Sequence, residues 1–457
     1  MLDVALIVCA VVAALAGLYG LYFVVVAFPF TGLRKPDVAP DKVHRFAVVV
    51  FAHNEAPVIG QLLESLRALR YPNNAYDVFV VADNCADETA AIALSGDAIV
   101  WERFDPDHSG KGCVMAWFFD RFAVECAHKY DACAIFDADN LVDPGFLEAM
   151  NDQLCLGYQV SIGLRLSKNP SSTPVAGASA LFWLLQARFF HAPRVRRGLP
   201  CLTVGGTGFV FDLEVLPDGF WSTESVCEDI EFTLRAIADG HAVSFTNDAI
   251  FYDEQPRTWW QSFVQRYRWS LGALQMLRYG TPALLRTFRQ RWRTSFDALI
   301  YSFGGLLPGV SALASIAMTL LLGAKTGQWA ALGLGTVVGA IVGYVAIAAV
   351  GRLLLALHGQ WWDGAWKAVA VFPIYLVTWS VIGVVVLFYR NRRWVSIPHT
   401  DGLRLDDVRA AAGSGTAKEP WAFPGRRDAD PRSGSKGPWA ATWVADEDPD
   451  QQPGTAN

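Results

Sequence analysis

The sequence is short of charge and has no cysteine framework. Charged residues make up 18% of the 457 positions against 53% hydrophobic, too apolar for an ordinary soluble protein. None of the eight cysteines (9, 85, 113, 126, 133, 155, 201 and 227) stands in a Cys-x-x-Cys pair. That argues against both a zinc site and a disulfide framework and fits reduced, unpaired thiols. A basic excess is missing as well: the net charge of −6 argues against nucleic acid as a partner. Gly110-Lys111-Gly112 lacks Walker A spacing, so it is not a P-loop. The first apolar run, Val4 to Phe28, has no basic flank before it and no small-residue cleavage site after it. It reads as a retained anchor, not a signal peptide.

What the chain does have is hydrophobic length at both ends. The run from Val4 to Phe28 carries no charge and exceeds the roughly 20 residues that a bilayer crossing needs. Residues 1–30 are therefore expected as a transmembrane anchor in the plasma membrane. Asp3 precedes it and Arg34, Lys35, Lys42 and Arg45 follow, which puts the next domain in the cytoplasm. Residues 31–45 form a polar linker with Pro36 and Pro40. Near residue 290, Arg286, Arg289, Arg291 and Arg293 surround Trp292, so 281–295 is expected as an amphipathic segment on anionic lipid.

Three apolar blocks follow within 296–390: 296–323, interrupted by Pro308-Gly309, then 329–350 and 368–389. Lys325 alone marks the loop between the first two, which suits an external loop. Three full crossings would leave the C-terminus outside, yet Arg390, Arg392 and Arg393 favour the inside. One block is then interfacial or re-entrant. Residues 401–457, rich in Asp, Pro, Gly and Ala, read as a disordered tail.

Between the membrane blocks the pattern alternates. Phe46 to Phe51 is a continuous apolar run of the kind that forms a buried parallel strand. Ile59, Leu62, Leu63, Leu66 and Leu69 then recur at helical spacing. Further strands are expected at 78–82, 98–101 and 132–136. This alternation predicts an α/β sheet that binds ligands beyond its strand C-termini. The tips there are polar: Ala52-His53-Asn54-Glu55, Asp83-Asn84-Cys85, and Asp137-Ala138-Asp139-Asn140. Residues two apart in an extended chain point to the same side, so Asp137 and Asp139 are expected to share one cation. Carboxylates with water and phosphate suit Mg²⁺ or Mn²⁺. Taken alone, an Asp-x-Asp also suits a solvated turn.

Taken together, Ala52-His53-Asn54-Glu55, Val81-Ala82-Asp83-Asn84-Cys85, Gly110-Lys111-Gly112 and Phe136-Asp137-Ala138-Asp139-Asn140 resemble glycosyltransferase family 2. The closer resemblance is to its exopolysaccharide-synthesis subgroup, related to cellulose and hyaluronan synthases. It spans about residues 46–275 and implies a GT-A, Rossmann-like cytoplasmic domain over 46–280, flanked by transmembrane helices. It also implies roles. Asp83 and Lys111 would bind the nucleotide, with His53, Asn54 and Glu55 beside them, and Asp137 and Asp139 would hold the metal. The glycine run with Gly206, Thr207 and Gly208 would line the acceptor's path. Asp229 matches the base of a Thr-Glu-Asp triplet, with Glu228 beside it and Cys227 in place of the threonine. Gln265, Arg268 and Trp269 match the Gln-x-x-Arg-Trp signature; Arg268 would face the leaving diphosphate and Trp269 the acceptor.

The resemblance thus implies a metal-dependent, inverting transfer from a nucleotide-diphospho-sugar, a UDP-sugar in the first instance, to a growing polysaccharide. Transfer of one sugar to a polyprenyl-phosphate or other lipid acceptor is the alternative. A non-catalytic nucleotide-binding subunit would lack a metal acid or base, and neither is missing. A transporter should carry ionisable residues inside its membrane blocks, whereas Asp297 and Arg352 lie near block ends.

Overall fold

The computed structural model describes residues 2–28, 40, 42–391 and 399–411. Most of the linker, with Arg34, Lys35 and Pro36, residues 392–398 and the tail beyond 411 lie outside them. Eight strands form one sheet: β1 Phe46–Ala52, β2 Tyr76–Asp83, β3 Ile99–Arg103, β4 Ala132–Asp137, β5 Leu141–Val142, β6 Val160–Ser167, β7 Phe209–Asp212 and β8 Val243–Asp253. Their order is β3-β2-β1-β4-β7-β6-β8-β5. The first four run parallel, and β7 runs antiparallel between β4 and β6.

Because β1 is central, both its faces are covered and every one of its residues is buried. Phe46, Val48 and Val50 meet Ile59, Leu62, Leu63 and Leu66 of the helix Ile59–Arg67. On the other face, Phe79 meets Phe118 and Phe122 of the helix Lys111–Glu125 edge-on, at 5.9 and 5.7 Å. Each such side chain contributes about 1.5–3 kcal/mol by leaving water. Parallel pairing brings the C-terminal ends of β1, β2 and β4 to one edge: Phe51 stands beside both Val81 and Asp137.

Among the described residues four helices are long and apolar enough to cross a membrane: Leu2–Ala27, Leu307–Thr326, Trp329–His358 and Ala365–Phe388. The apolar block expected from 296 is divided. Trp292–Ser302 is a helix of its own, and the next begins at Leu307 with Pro308 in its first turn, where no N–H is needed. The first of the two carries Asp297. This carboxylate is fully buried in an ion pair with Arg194 at 3.1 Å and accepts a 2.8 Å bond from Tyr22. Arg197 caps the first helix by donating to the carbonyls of Val26 and Val25, at 2.9 and 3.0 Å. The stretch expected as one amphipathic segment is two helices, Thr281–Thr287 and Trp292–Ser302, with Leu285 and Trp292 exposed.

The helix Ala365–Phe388 touches the sheet domain near both ends. Its Ala368 packs over Gly177, and Tyr267 donates to the Tyr389 carbonyl at 2.9 Å. Between them Arg266 donates to the Tyr375 carbonyl and the Thr378 hydroxyl, at 2.8 and 2.7 Å. Residues 401–411, expected as disordered, instead dock on the same domain. They include the helix Leu405–Ala411 with Val408 buried, and ion pairs join Asp401 to Arg257, Arg404 to Glu64 and Arg409 to Asp143. Composition reads such charges as solvated, but here Asp401, Arg404 and Arg409 have partners on the domain.

Candidate active site

Two clusters occupy the sheet edge. In the first, Asp137 ends β4 with its side chain 38% exposed. The Lys111 ammonium sits on it and donates to the Gly206 carbonyl at 2.6 Å. Burial alone would lower the Lys111 pKa, but Asp137, Glu228 and Asp229 together hold it above its ordinary value. Glu228 and Asp229 open the helix Glu228–Asp239, whose N-terminus favours negative charge. Burial and the neighbouring Asp229 charge push Glu228 up to about 7. Burial also raises Asp229, against the pull of Lys111 and Arg165. The Asp229 carboxylate accepts from Thr203 at 3.4 Å and faces Gly206, where a Cβ would stand 3.8 Å away.

Asp139 belongs to the second, closed cluster. The strand stops at Asp137, and Ala138-Asp139 turns, with the Asn140 N–H donating back to the Asp137 carbonyl at 3.1 Å. The same-side expectation for residues two apart therefore does not hold, because it requires extended backbone. The Asp139 side chain is only 4% exposed. It accepts from the backbone N–H of Glu254 and from Asn140, both at 3.2 Å. Burial raises its pKa, although His399 and Lys168 oppose the shift. Asp253, Glu254 and the cations Arg165 and Lys168 complete this cluster, with Lys168 and Glu254 paired at 3.2 Å. Among the described residues no group of three or more His, Cys, Asp or Glu side chains is arranged to hold a metal.

The other expected residues divide between lining the edge and building it. Asp83 ends β2, but its carboxylate is held at 2.6 Å by the buried Arg103 and bonded by Asn84 at 3.0 Å. His53 donates to the Asp83 carbonyl at 2.7 Å, and Asn54 accepts from the Ala86 N–H at 2.8 Å. Both tie β1 to β2. Glu55 points toward the closed cluster, accepting from His399 at 2.8 Å. Burial would lower the His399 pKa, yet Asp139 and Glu55 hold it up to about 10.

Thr207 and Gly208, expected to line the acceptor's path, turn inward. The Thr207 hydroxyl bonds Asn140 and receives the Asp137 N–H at 2.9 Å. Gly208 has φ +65° and leaves no room for a Cβ against the Phe251 ring. Cys227 is buried and donates to the Arg268 carbonyl at 3.6 Å, so the thiol ties the Asp229 helix to the helix Trp259–Tyr279. On that helix Arg268 makes no ion pair among the described residues, and its Nε and the Gln265 Oε1 are buried without partners. Trp269 stacks between Phe182 and Trp379, at 6.4 and 6.1 Å.

A family model described as glycosyltransferase like family 2 matches residues 44–272, half of the chain. The chain belongs to that family. Among curated relatives, it is 26% identical over 278 residues to the probable glycosyltransferase YdaM of Bacillus subtilis, covering 57% of this chain and 62% of that one. It is 24% identical to the beta-monoglucosyldiacylglycerol synthase of Nostoc, covering 62% and 61%. The poly-beta-1,6-N-acetyl-D-glucosamine synthase of Staphylococcus aureus is 21% identical, covering 57% and 60%. The chain thus spans about three-fifths of the length of these relatives. Among solved structures it resembles the mannosyltransferase PcManGT of Pyrobaculum calidifontis, in complex with GDP-Man and Mn²⁺. The TM-score is 0.53 at 17% identity, covering 85% of this chain and 99% of that one. At that identity the likeness speaks for the fold alone, which is GT-A.

The sequence reading missed Arg103, Arg165, Lys168 and the pair Asp253-Glu254 within this family-2 domain, and His399 beyond it. Only Asp253-Glu254 carried a signal, as two acids directly after an apolar strand. Arg165 and Lys168 are single cations in or just after an unremarked strand, β6. His399 lies more than 140 residues beyond Asp253 in the chain.

Proposed function

We propose that the chain is a membrane-bound inverting glycosyltransferase that moves a sugar from a nucleotide-diphospho-sugar to a growing polysaccharide. The observation that carries this reading is the open cluster, where Asp229, Lys111 and Asp137 converge beside the glycine turn at Gly206. Asp229 is the base: burial raises its pKa above the ordinary carboxylate value, which makes it the stronger acceptor for the proton of an acceptor hydroxyl. That hydroxyl attacks the anomeric carbon in line, the bond to the diphosphate oxygen breaks with its electron pair, and the configuration inverts. Arg268, which pairs with no acid among the described residues, and Lys111 are the cations offered to the departing diphosphate. Asp83 keeps one carboxylate oxygen for the nucleoside.

The residues present fit a Mg²⁺ or Mn²⁺ ion that takes most of its ligands from the diphosphate. Asp137 is a half-open carboxylate already carrying a cation, and such ions need only one or two protein acids. When bound, the metal supplies charge neutralisation at the leaving group. Asp139, closed in by Asn140, Glu254 and His399, orients the turn behind Asp137.

The catalytic domain is assigned to the cytoplasmic side, following Lys42 and Arg45 after the first span. Residue 399 reaches the same domain as Glu55, so an even number of crossings must separate them. Ala365–Phe388, in contact with the domain near both ends, is the helix that does not cross. A C-terminal epitope reached in inverted vesicles and not in intact cells supports this; the opposite labelling refutes it.

Lipid-linked transfer of a single sugar is the second reading, favoured by the likeness to a glucosyldiacylglycerol synthase. Purified full chain, incubated with a panel of nucleotide sugars and sized by product, separates the two. Long polysaccharide supports the first reading, a single glycolipid the second, and no turnover with any donor contradicts both.

A further inference from the structure

The glycine turn beside Asp229 is held by two cations of different kinds. Arg165 donates to the Gly205 carbonyl, and its guanidinium lies 3.9 Å from the centre of the Trp183 ring. It is planar, stacked and buried, so it is fixed. Lys111 makes the matching bond to the next carbonyl, that of Gly206, while its ammonium also sits on Asp137. No other cation pairs with Asp137 among the described residues. A lysine head on a four-carbon stem can swing several ångströms by torsion alone. Gly205 and Gly206 both lie at positive φ, +66° and +80°, so the turn they form has few side-chain contacts of its own to hold it.

We propose that Lys111 is the counter-ion that a nucleoside-diphosphate donor displaces from Asp137. It neutralises Asp137 and pins the Gly206 carbonyl until a diphosphate draws the ammonium away, so a divalent cation gains Asp137 only together with the donor. This rests on the metal-dependent reading above. An ammonium and a divalent cation held on the two oxygens of one carboxylate repel each other, and a half-buried site screens that repulsion less than water does. Metal and donor then bind with mutual reinforcement, which linkage requires to be equal in both directions.

The test measures binding of Mn²⁺ alone to the full-length protein in detergent, from the electron paramagnetic resonance of free Mn²⁺. Lys111→Met and Lys111→Gln should each bind Mn²⁺ about tenfold tighter than wild type, within the range of ordinary coupling factors. The glutamine variant can keep the Gly206 bond, so it guards against loss of fold; a thermal melt accompanies each protein. Lys111→Arg, which keeps the charge, should bind no tighter than wild type. Adding Asp137→Asn to Lys111→Met should abolish the gain. An unchanged Mn²⁺ affinity in both neutral variants overturns the inference, and leaves the metal reading standing if uridine or guanosine diphosphate still strengthens wild-type binding. No Mn²⁺ binding by any of these proteins, with or without either diphosphate, overturns both.

Discussion

Asp137 and Asp139 stand two residues apart and live in opposite conditions. One ends a strand, faces the open edge and carries the Lys111 ammonium. The other sits in the following turn, buried beneath His399 and Glu254. The same contrast extends to the clusters around them. In the open cluster three acids, Asp137, Glu228 and Asp229, share the one Lys111 ammonium, and Asp137 stays partly exposed. In the closed cluster of Asp139, Asp253, Glu254, Arg165 and Lys168, each acid is bonded from within the protein. Polar residues at one sheet edge therefore do two jobs, and burial tells them apart.

Substitutions should separate those jobs. The largest effect is expected in the open cluster: Asp229→Asn should lower the transfer rate by about 10²–10⁴. Nucleotide affinity, measured by calorimetry, and the melting temperature should hardly move. Retention of more than about half the activity would mean that another group takes the acceptor's proton. In the closed cluster the loss should fall on stability. Lys168→Met leaves Glu254 buried without its partner and should cost about 3–5 kcal/mol in chemical denaturation. A variant as stable as wild type but slow in transfer would move Lys168 into the open cluster.

A smaller effect concerns pH. Glu228 titrates at about 7 in the folded protein, above the ordinary glutamate value of about 4.3. The folded state therefore holds a proton that the unfolded state releases, and Glu228 costs stability as pH rises through that window. Glu228→Gln should accordingly gain on wild type in melting temperature between about pH 4.5 and 7, and level off above it. A pH-independent difference would show that Lys111 already neutralises Glu228 in full.

Much of the open cluster was legible because it lies in short motifs at the ends of apolar runs. β1, β2 and β4 each announce themselves as continuous hydrophobic stretches, and Asp83 and Asp137 close two of them. The helix carrying Glu228 and Asp229 is marked by its acids and by the glycine that stops it. The closed cluster was not legible, since its members come from β6, β8 and residue 399 and meet only through sheet order. Sequence alternation predicts strands, but not that β6 and β8 become parallel neighbours beyond an antiparallel β7. The turn at Ala138 was equally silent, so Asp139 was read as the twin of Asp137. Composition misjudged residues 401–411 for a related reason: their partners, Arg257, Glu64 and Asp143, are distant in the chain.

The most direct test of the open cluster's role is sugar transfer by purified wild type and Asp137→Ala, stripped with EDTA and then given Mn²⁺. Wild type should fall silent in EDTA and recover with Mn²⁺, while Asp137→Ala stays inactive in both conditions and melts as wild type does. Full transfer in EDTA, or by Asp137→Ala, would contradict the account.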